Sequence, residues 1–293
     1  MNDGGKRHGE VDVKISGIHL YPVKSLRGIT LERAVLGERG IAHDRNWMVV
    51  DDVGRFVTQR QMPAMARIAV RLESDRLLLE HPEVAPLAIE LARSDQPSLT
   101  AYVWEDACRA LDEGPEAAQW LNSVLGDWKG SGLRLVRFAP DERRAVEPFY
   151  QQGENAHTAF ADGYPFLIVS EASLAALNQA LQRKGLAPLP MNRFRPNIVV
   201  EGAPPFAEDG WSELGSPEGY RFGIRKPCQR CKITTVDQQS GEIPVPGEPL
   251  RTLVEMNPRL APGGYFGQNA IPLAGRGARL AVGDALVASP AAS

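Results

Sequence analysis

Residues 221–237 read RFGIRKPCQRCKITTVD and place two cysteines between two short segments that favour β structure. Aromatic and β-branched residues are enriched in strands, and proline seldom occurs inside a central strand. The pattern therefore predicts a strand, a tight turn that carries Cys228 and Cys231, and a second strand over KITTV. This arrangement indicates a β-rich fold class.

The C-x-x-C spacing of the two cysteines is shared by several kinds of site. A structural zinc site needs four ligands, but Cys108 has no cysteine neighbour in the sequence and the five histidines lie upstream without a metal-binding spacing. A dithiol redox pair sits at the N-terminus of a helix, where the helix dipole lowers the thiol pKa, whereas the segment that follows here favours a strand. Two cysteines packed in a turn are the third interpretation.

Basic residues surround the cysteine pair on both sides. Positive charge stabilises a thiolate, and the thiolate is the form that binds a soft metal ion. The same charges would also hold an anionic organic group. One thiolate bound to a metal that a separate organic ligand already holds would satisfy all of these observations. The basic residues are Arg225, Lys226, Arg230 and Lys232.

Working outward, further segments alternate between apolar and polar residues and are bounded by turn residues, as strands are. They are residues 11–22, 45–60, 66–81, 133–140, 193–202 and 277–289. The second and third of these segments predict hairpins, around Asp52-Val53-Gly54 and Ser74-Asp75.

Two segments have apolar residues at helical spacing. Residues 114–126 predict a short helix that is opened by proline and followed by glycine. Residues 165–185 predict a strand that runs into a helix, with Ser170 as the N-cap. Between the two helices, the polar residues 141–164 lack periodicity and predict a linker or a functional loop.

The composition is that of an ordinary globular protein. The 293 residues carry a formal net charge of −3 and are 43% hydrophobic, so we expect no binding to nucleic acid through bulk charge. No apolar stretch approaches about 18 residues, and the polar first ten residues lack the core of a signal peptide. We therefore expect a cytoplasmic protein with a disordered start and no membrane segment. Three cysteines are too few for a disulfide framework.

Motifs of nucleotide-binding loops and serine hydrolases do not occur, since the sequence contains no G-x-x-x-x-G-K-[ST], G-x-G-x-x-G or G-x-S-x-G. Several short segments instead place cations and small polar side chains beside predicted strand ends. Arginine with a hydroxyl group is typical equipment for binding a phosphate. Asp162 either caps the Gly163-Tyr164-Pro165 turn or contacts a ligand. The polar residues are Lys24, Ser25, Arg27, Asp44, Arg45, Thr58, Arg60, Arg193, Arg195, Asn197, Gln268 and Asn269.

Seven motifs occur in order along nearly the whole chain, over about residues 12 to 288. They are YPVKS, DRNWMVVD, TQRQMP, YPFLIVSEASLAALN, RFRPNIVVEGAPPFAEDGW, PCQRCKITTVDQQSGE and FGQNA. This series resembles proteins in which an N-terminal MOSC-associated β-barrel domain precedes a MOSC domain, the group that includes the mitochondrial amidoxime-reducing component. The resemblance implies a mixed, β-rich α+β fold with a few peripheral helices. It places an N-terminal β-barrel-like domain at residues 12–130 and a MOSC β-barrel domain at residues 131–290.

The resemblance also implies a molybdenum cofactor, in which one molybdopterin holds the metal and a protein cysteine is a further ligand. In the family's C-x-R-C motif the second cysteine binds the metal, which corresponds to Cys231, and Cys228 becomes a neighbour that tunes it or packs beside it. The cofactor-binding residues that we expect are Lys24, Ser25, Arg45, Arg60, Asp162, Gly163, Tyr164, Arg195, Asn197, Thr234 and Asn269.

This sequence departs from the mitochondrial proteins at several places. Gly163 and Tyr164 stand where those proteins have small hydroxyl residues, so a cofactor contact there would be made by the backbone. Asn269 stands where an aromatic residue can occur, which bears on substrate shape. We found no counterpart of the mitochondrial membrane anchor or of the iron–sulfur domain of some bacterial relatives, so we expect no membrane contact.

The expected function is a molybdenum-dependent oxidoreductase that reduces small N-hydroxylated compounds in detoxification: amidoximes, hydroxylamines and N-hydroxylated bases. A separate flavoprotein, haem protein or iron–sulfur protein would supply the electrons. The alternative is a non-redox protein that carries the molybdenum cofactor or sulfur to other enzymes. A β-barrel protein with a structural zinc site is a third and simpler interpretation.

Overall fold

A computed structural model describes residues 9–93 and 95–291, and the predicted disordered start lies for the most part outside them. The described chain is rich in strands. They are β1 (Val11–Leu20), β2 (Ile29–Leu31), β3 (Arg33–Gly37), β4 (Gly40–Ile41), β5 (Trp47–Val50), β6 (Ala69–Leu72), β7 (Arg76–His81), β8 (Val84–Glu90), β9 (Ser98–Val103), β10 (Asp106–Asp112), β11 (Arg134–Phe138), β12 (Arg144–Ala145), β13 (His157–Thr158), β14 (Phe166–Ser170), β15 (Ile198–Glu201), β16 (Trp211–Gly215), β17 (Arg221–Gln229), β18 (Tyr265–Ala274), β19 (Arg279–Ala281) and β20 (Ala285–Pro290).

Helices are few, and those among the described residues are short. The α-helices are α1 (Pro115–Leu125), α2 (Pro148–Gln151), α3 (Glu171–Arg183) and α4 (Leu250–Met256). Single 3-10 turns lie at Pro63–Arg67, Met191–Arg193, Ala207–Gly210, Lys232–Thr235 and Pro258–Leu260. None of the helices in the described part of the chain has the length and apolar character needed to cross a bilayer.

Seven strands form a closed barrel in the order β15-β14-β18-β17-β16-β20-β1, and the pairing of β1 with β15 closes it. The neighbours are antiparallel except β14 and β15, which are parallel. Apolar side chains such as Phe166, Leu214 and Phe222 fill the interior, as the alternation of strand side chains requires. The prediction of a mixed, β-rich fold with a few helices is confirmed.

Within the first 140 residues, β1 and β2 belong to the barrel sheet, β3 and β4 form a small sheet with β19, and the other strands form two separate sheets. One sheet has the order β5-β11-β10-β9, and a second is the meander β6-β7-β8. Helix α1 packs on β11 and β8 and buries Ala117 and Leu121. The division of the chain into domains near residue 130 stays a prediction.

The predicted second strand after the cysteines is wrong. Cys231 is the N-cap residue of the 3-10 turn at Lys232–Thr235. The hydroxyl of Thr234 donates to the Cys231 carbonyl at 3.0 Å, and that of Thr235 donates to the Lys232 carbonyl at 2.8 Å. Such local bonds compete with a strand ladder, so a 3-10 turn follows the cysteine pair. The expected strand therefore no longer counts against a dithiol redox pair.

The hairpin predicted for residues 45–60 is only half formed. Its first strand is β5, but the return segment forms no strand and makes two isolated bridges, Phe56 with Val50 and Arg55 with Tyr102. The backbone N–H and the hydroxyl of Thr58 both bond to Oε1 of Gln61, and this turn ends the extended segment. The hairpin around Ser74-Asp75 is confirmed as β6 and β7.

Helix α3 begins after Ser170, as predicted, but the serine hydroxyl makes no capping bond. Its N–H donates instead to the buried carboxylate of Glu208 at 3.3 Å. The Ser173 hydroxyl lies 2.7 and 2.9 Å from the two oxygens of the same carboxylate. Burial raises the pKa of Glu208, although these hydrogen bonds oppose the shift.

The raised pKa of Glu208 predicts how stability changes with pH. Because the folded protein holds this proton more tightly than the unfolded chain, the free energy of unfolding should fall as the pH rises through the ordinary glutamate pKa toward the raised one. Glu208→Gln removes this dependence, so its stability relative to the wild type should rise as the pH increases above the ordinary glutamate pKa. Urea denaturation of both proteins measures the effect; parallel pH profiles would contradict it.

Candidate functional site

One cleft collects eleven of the twelve predicted site residues. Its empty space, including the part open to solvent, is about 730 Å³, which is within the size range of sites for small molecules and cofactors. Thr234 does not reach the lining but lies fully buried behind Cys231. The predicted site residues that line this cleft are Lys24, Ser25, Arg45, Arg60, Asp162, Gly163, Tyr164, Arg195, Asn197, Cys231 and Asn269.

The cleft is strongly cationic. Five basic side chains line it, and Asp162 is the single acidic residue of the lining. Arg60 lies next to Cys231 in space, and Arg230 precedes it in sequence. The other three cations, Lys24, Arg45 and Arg195, come from loops between strands. Low-dielectric walls with one sign of charge concentrate the field inside a cleft, so the site favours an anionic ligand.

Lys24 and Asp162 form the ion pair of the cleft. The buried ammonium group donates to the Asp162 carboxylate at 2.5 Å and to the carbonyl of Phe160 at 2.7 Å. Desolvation lowers the pKa of Lys24, and the nearby carboxylate opposes that shift. Desolvation alone would raise the pKa of Asp162, but Lys24 and two arginines hold it well below its usual value. Asp162 is therefore ionised at neutral pH, and the 57% exposure of its side chain also favours the charged form.

Arg45 and Arg195 flank the same aromatic ring. The central guanidinium carbon of each lies 4.3 Å from the ring centroid of buried Tyr21. Nη1 of Arg45 donates to Asp44 at 2.6 Å and to Asn197 at 3.1 Å. Nη1 of Arg195 donates to the Leu26 carbonyl at 2.8 Å. The ring and these bonds fix both cations against the wall of the cleft.

Burial has opposite effects on the pKa values of Tyr21 and Arg195. It raises the pKa of Tyr21 to about 12 and lowers the pKa of Arg195 to about 10. At neutral pH the phenol is therefore neutral and the guanidinium is charged.

A side chain at Gly28 would overlap the Tyr21 ring, so glycine is required there.

The backbone is strained at three lining positions. Ser25, Arg45 and Arg195 have φ values of 66°, 49° and 54°, a region that residues with a Cβ seldom adopt. All three lie in loops: Ser25 between β1 and β2, Arg45 between β4 and β5, and Arg195 between the 3-10 turn at Met191–Arg193 and β15. Such outliers cluster at functional sites, where the surrounding structure imposes the geometry.

The two cysteines have different surroundings. The Cys228 sulfur lies at the end of β17 and accepts a bond from Nη1 of Arg230 at 2.8 Å. The Cys231 sulfur lies 3.7 Å from Nη1 of Arg60, which is 171 residues away in sequence. Both sulfurs are free thiols that line the cleft. Of the four cations predicted around the pair, Arg230 contacts a cysteine sulfur, whereas Lys226 lies over the ring of Tyr150.

Buried polar atoms in the lining are left without protein partners. Among the residues that the structure describes, no partner is found for Nη2 of Arg60, Nη2 of Arg195, Nε of Arg230 and the Tyr164 hydroxyl. A buried donor without a partner costs free energy, and three of these four are guanidinium nitrogens, which only donate. The cleft thus presents donors that fit the acceptor oxygens of an anionic ligand.

Two glutamines that do not line the cleft connect the segments that do. Gln59 donates to the Ser25 carbonyl at 2.8 Å, and Gln238 donates to Oε1 of Gln59 at 2.8 Å. Arg193 holds the same loop, since its Nη1 donates to the Thr235 carbonyl at 2.8 Å. The sequence placed neither glutamine at the site; both lie in the quoted motifs, TQRQMP and PCQRCKITTVDQQSGE, which was the available signal.

Further lining residues were not among the predicted site residues: Thr58, Phe166, Leu167, Phe194, Cys228, Arg230 and Ile233, with Ala161 beside Asp162. In residues 9–93 and 95–291, no His, Cys, Asp and Glu side chains form a group of three that could hold a metal ion. A metal in this cleft would accordingly need ligands from a second molecule in addition to Cys231.

Comparison with known proteins shows which domain families this chain matches. The family model of the MOSC N-terminal beta barrel domain matches residues 12–128, and that of the MOSC domain matches residues 155–287. Mitochondrial amidoxime reducing component 2 of Bos taurus is 37% identical over 248 residues, which cover 82% of this chain and 70% of that protein. Mitochondrial amidoxime-reducing component 1 of Homo sapiens is 35% identical over 256 residues, again 82% of this chain and 70% of that protein.

A second kind of relative matches most of this chain with only part of a longer one. Molybdenum cofactor sulfurase of Bos taurus is 29% identical over 244 residues, which cover 78% of this chain but only 27% of that protein. The two domain matches and the relatives that are more than 30% identical agree with the barrel and the cleft. This chain belongs to the family of proteins in which a MOSC N-terminal β-barrel domain precedes a MOSC domain.

Proposed function

We propose that this protein is a molybdenum cofactor-dependent oxidoreductase that reduces N-hydroxylated compounds: amidoximes, hydroxylamines and N-hydroxylated bases. The observation that carries the proposal is a free thiol, Cys231, in a cationic cleft where one buried nitrogen on each of three arginines, Arg60, Arg195 and Arg230, has no protein partner. The similarity to amidoxime-reducing components supports the reaction class.

The residues of the cleft fit an anionic cofactor that carries its own metal ligands. Arg45, Arg195 and Lys24 would hold the phosphate and pterin groups through charge-assisted hydrogen bonds. Cys231 would contribute the single protein ligand. When bound, the cofactor supplies the two-electron chemistry that breaks the N–O bond, so that two electrons and two protons release the oxygen as water.

The side chains of the cleft have separable tasks in this reaction. Asp162 stays ionised because its pKa is depressed, so it orients Lys24 and does not deliver a proton. Lys24 carries the proton of the pair, and its lowered pKa makes that proton easier to donate than the proton of an ordinary lysine. Arg60 places positive charge beside Cys231, where charge develops on the departing oxygen.

The electron donor in this proposal is a separate flavoprotein, haem protein or iron–sulfur protein. A cytoplasmic location and a role in detoxification are part of the same proposal, and the free state of all three cysteines supports a reducing compartment. The further site residues of the proposal are Ser25, Gly163, Tyr164, Asn197, Thr234 and Asn269.

A carrier of the molybdenum cofactor or of sulfur is the second candidate, favoured by the similarity to molybdenum cofactor sulfurase. The decisive experiment uses protein made in a host that synthesises molybdopterin, with its metals quantified and a chemically reduced dye as electron donor. Turnover of benzamidoxime to benzamidine with one bound molybdenum supports the reductase. Bound cofactor without turnover supports the carrier, and bound zinc without molybdenum contradicts both.

A further inference from the structure

The turn between β9 and β10 holds a tryptophan in an unfavourable conformation. Val103 pairs with Asp106, so the loop has two residues, Trp104 and Glu105. Trp104 has a φ of 57°, where hairpin turns of this length favour glycine or asparagine. A bulky side chain at such a φ is strained, so hairpin formation does not explain the tryptophan.

The indole lies beside the cleft and points into solvent. Trp104 is 48% exposed. The guanidinium carbon of Arg60 lies 4.5 Å from the ring centroid, and the Phe56 ring meets the indole edge-on with centroids 5.1 Å apart. The Arg60 guanidinium also lies 3.7 Å from the Cys231 sulfur, so this one group contacts both the indole and the thiol.

A row of aromatic rings that begins at helix α2 also leads to the cleft. Phe149, 79% exposed, meets Tyr150 edge-on at 5.0 Å between centroids, and Tyr150 meets Tyr164 at 6.1 Å. Tyr164 lines the cleft, and its ring packs against the apolar cluster around Ile271. The cationic cleft therefore has aromatic side chains on two sides.

We propose that Trp104 contacts the substrate and that the protein selects N-hydroxylated compounds carrying a planar aromatic or heteroaromatic group. This inference rests on the proposed function and narrows its substrate class. A planar group attached to the reacting nitrogen function would extend from Cys231 over Arg60 and stack on the exposed part of the indole. A small aliphatic substrate would not reach it.

The test compares benzamidoxime with acetamidoxime in three variants. Trp104→Asn should lower the ratio of kcat/KM for benzamidoxime over acetamidoxime roughly three- to tenfold, the value of an aromatic contact. Trp104→Phe should retain most of the preference. Lys129→Asn is the matched control, because Lys129 has a φ of 56° in an exposed turn outside the cleft; its ratio should not change.

Both asparagine variants relieve strain at a left-handed position, so neither should melt below the wild type. A calorimetric titration with benzamidoxime in the absence of an electron donor gives a readout that does not depend on turnover. Weaker binding to Trp104→Asn than to the wild type supports the inference. An unchanged affinity and an unchanged ratio would overturn it. If the wild type reduces neither compound, the proposed function fails, and the titration alone decides the role of Trp104.

Discussion

Replacing Cys231 by serine is expected to remove molybdenum from the purified protein and to lower N-reductase activity by more than about a hundredfold, since even partners outside the ligand shell are worth ten- to a hundredfold. Cys231 is the cleft thiol that Arg60 approaches. A serine hydroxyl has nearly the same size but does not ionise to a soft ligand near neutral pH. The fold should therefore survive while the metal is lost.

The neighbouring thiol provides the control for this prediction. The Cys228 sulfur accepts a hydrogen bond from Arg230, and a serine oxygen can accept the same bond. Cys228→Ser should thus keep its molybdenum and stay within about tenfold of wild-type activity. Metal analysis and the reduced-dye assay measure both variants. Full activity and a full metal content in Cys231→Ser would show that the Cys231 thiol is needed neither for metal binding nor for the reaction.

The local strand and helix patterns of this chain were readable from its sequence, and the closure of the barrel was not. Helix α1 and the hairpin of β6 and β7 depend on residues that are neighbours in sequence. The pairing of β1 with β15 joins Ile18 to Ile198. Nothing in the alternation of either segment specifies that partner, because strand patterns record which face is buried and not which strand lies beside it.

The cleft shows the same limit. Taken alone, Lys24, Arg45 and Arg195 each look like a solvated residue beside a strand end. Only the ordered series of motifs predicted that they belong to one site. The contacts that make them a site depend on Tyr21, whose ring touches both guanidinium groups. The error after Cys231 has a local cause, since β-branched residues predict a strand but two threonine hydroxyls bonded back to the chain instead.

Replacing Arg137 by methionine is expected to lower the free energy of unfolding by about 3–5 kcal/mol, the usual cost of leaving one buried charge without its partner. The side chains of Arg137 and Glu113 are 9% and 0% exposed. Nε of Arg137 and the indole N–H of Trp47 both donate to Oε1 of Glu113, at 2.7 and 2.6 Å. Gln96 donates to the other carboxylate oxygen at 3.0 Å.

This network also supports the cleft, because the Trp47 carbonyl accepts the N–H of Lys24 at 2.8 Å. The melting temperature of Arg137→Met should fall by roughly 10 °C, and the affinity for the cofactor should fall with it. Arg143→Met is the matched control: Arg143 pairs with Glu38 at 2.7 Å but is 64% exposed, so its loss should cost less than about 1 kcal/mol. Adding Glu113→Gln to Arg137→Met should restore part of the stability, since it neutralises the unpaired buried charge. Denaturation curves that coincide for Arg137→Met and Arg143→Met would show that the buried pair contributes no more to the free energy of unfolding than the exposed one.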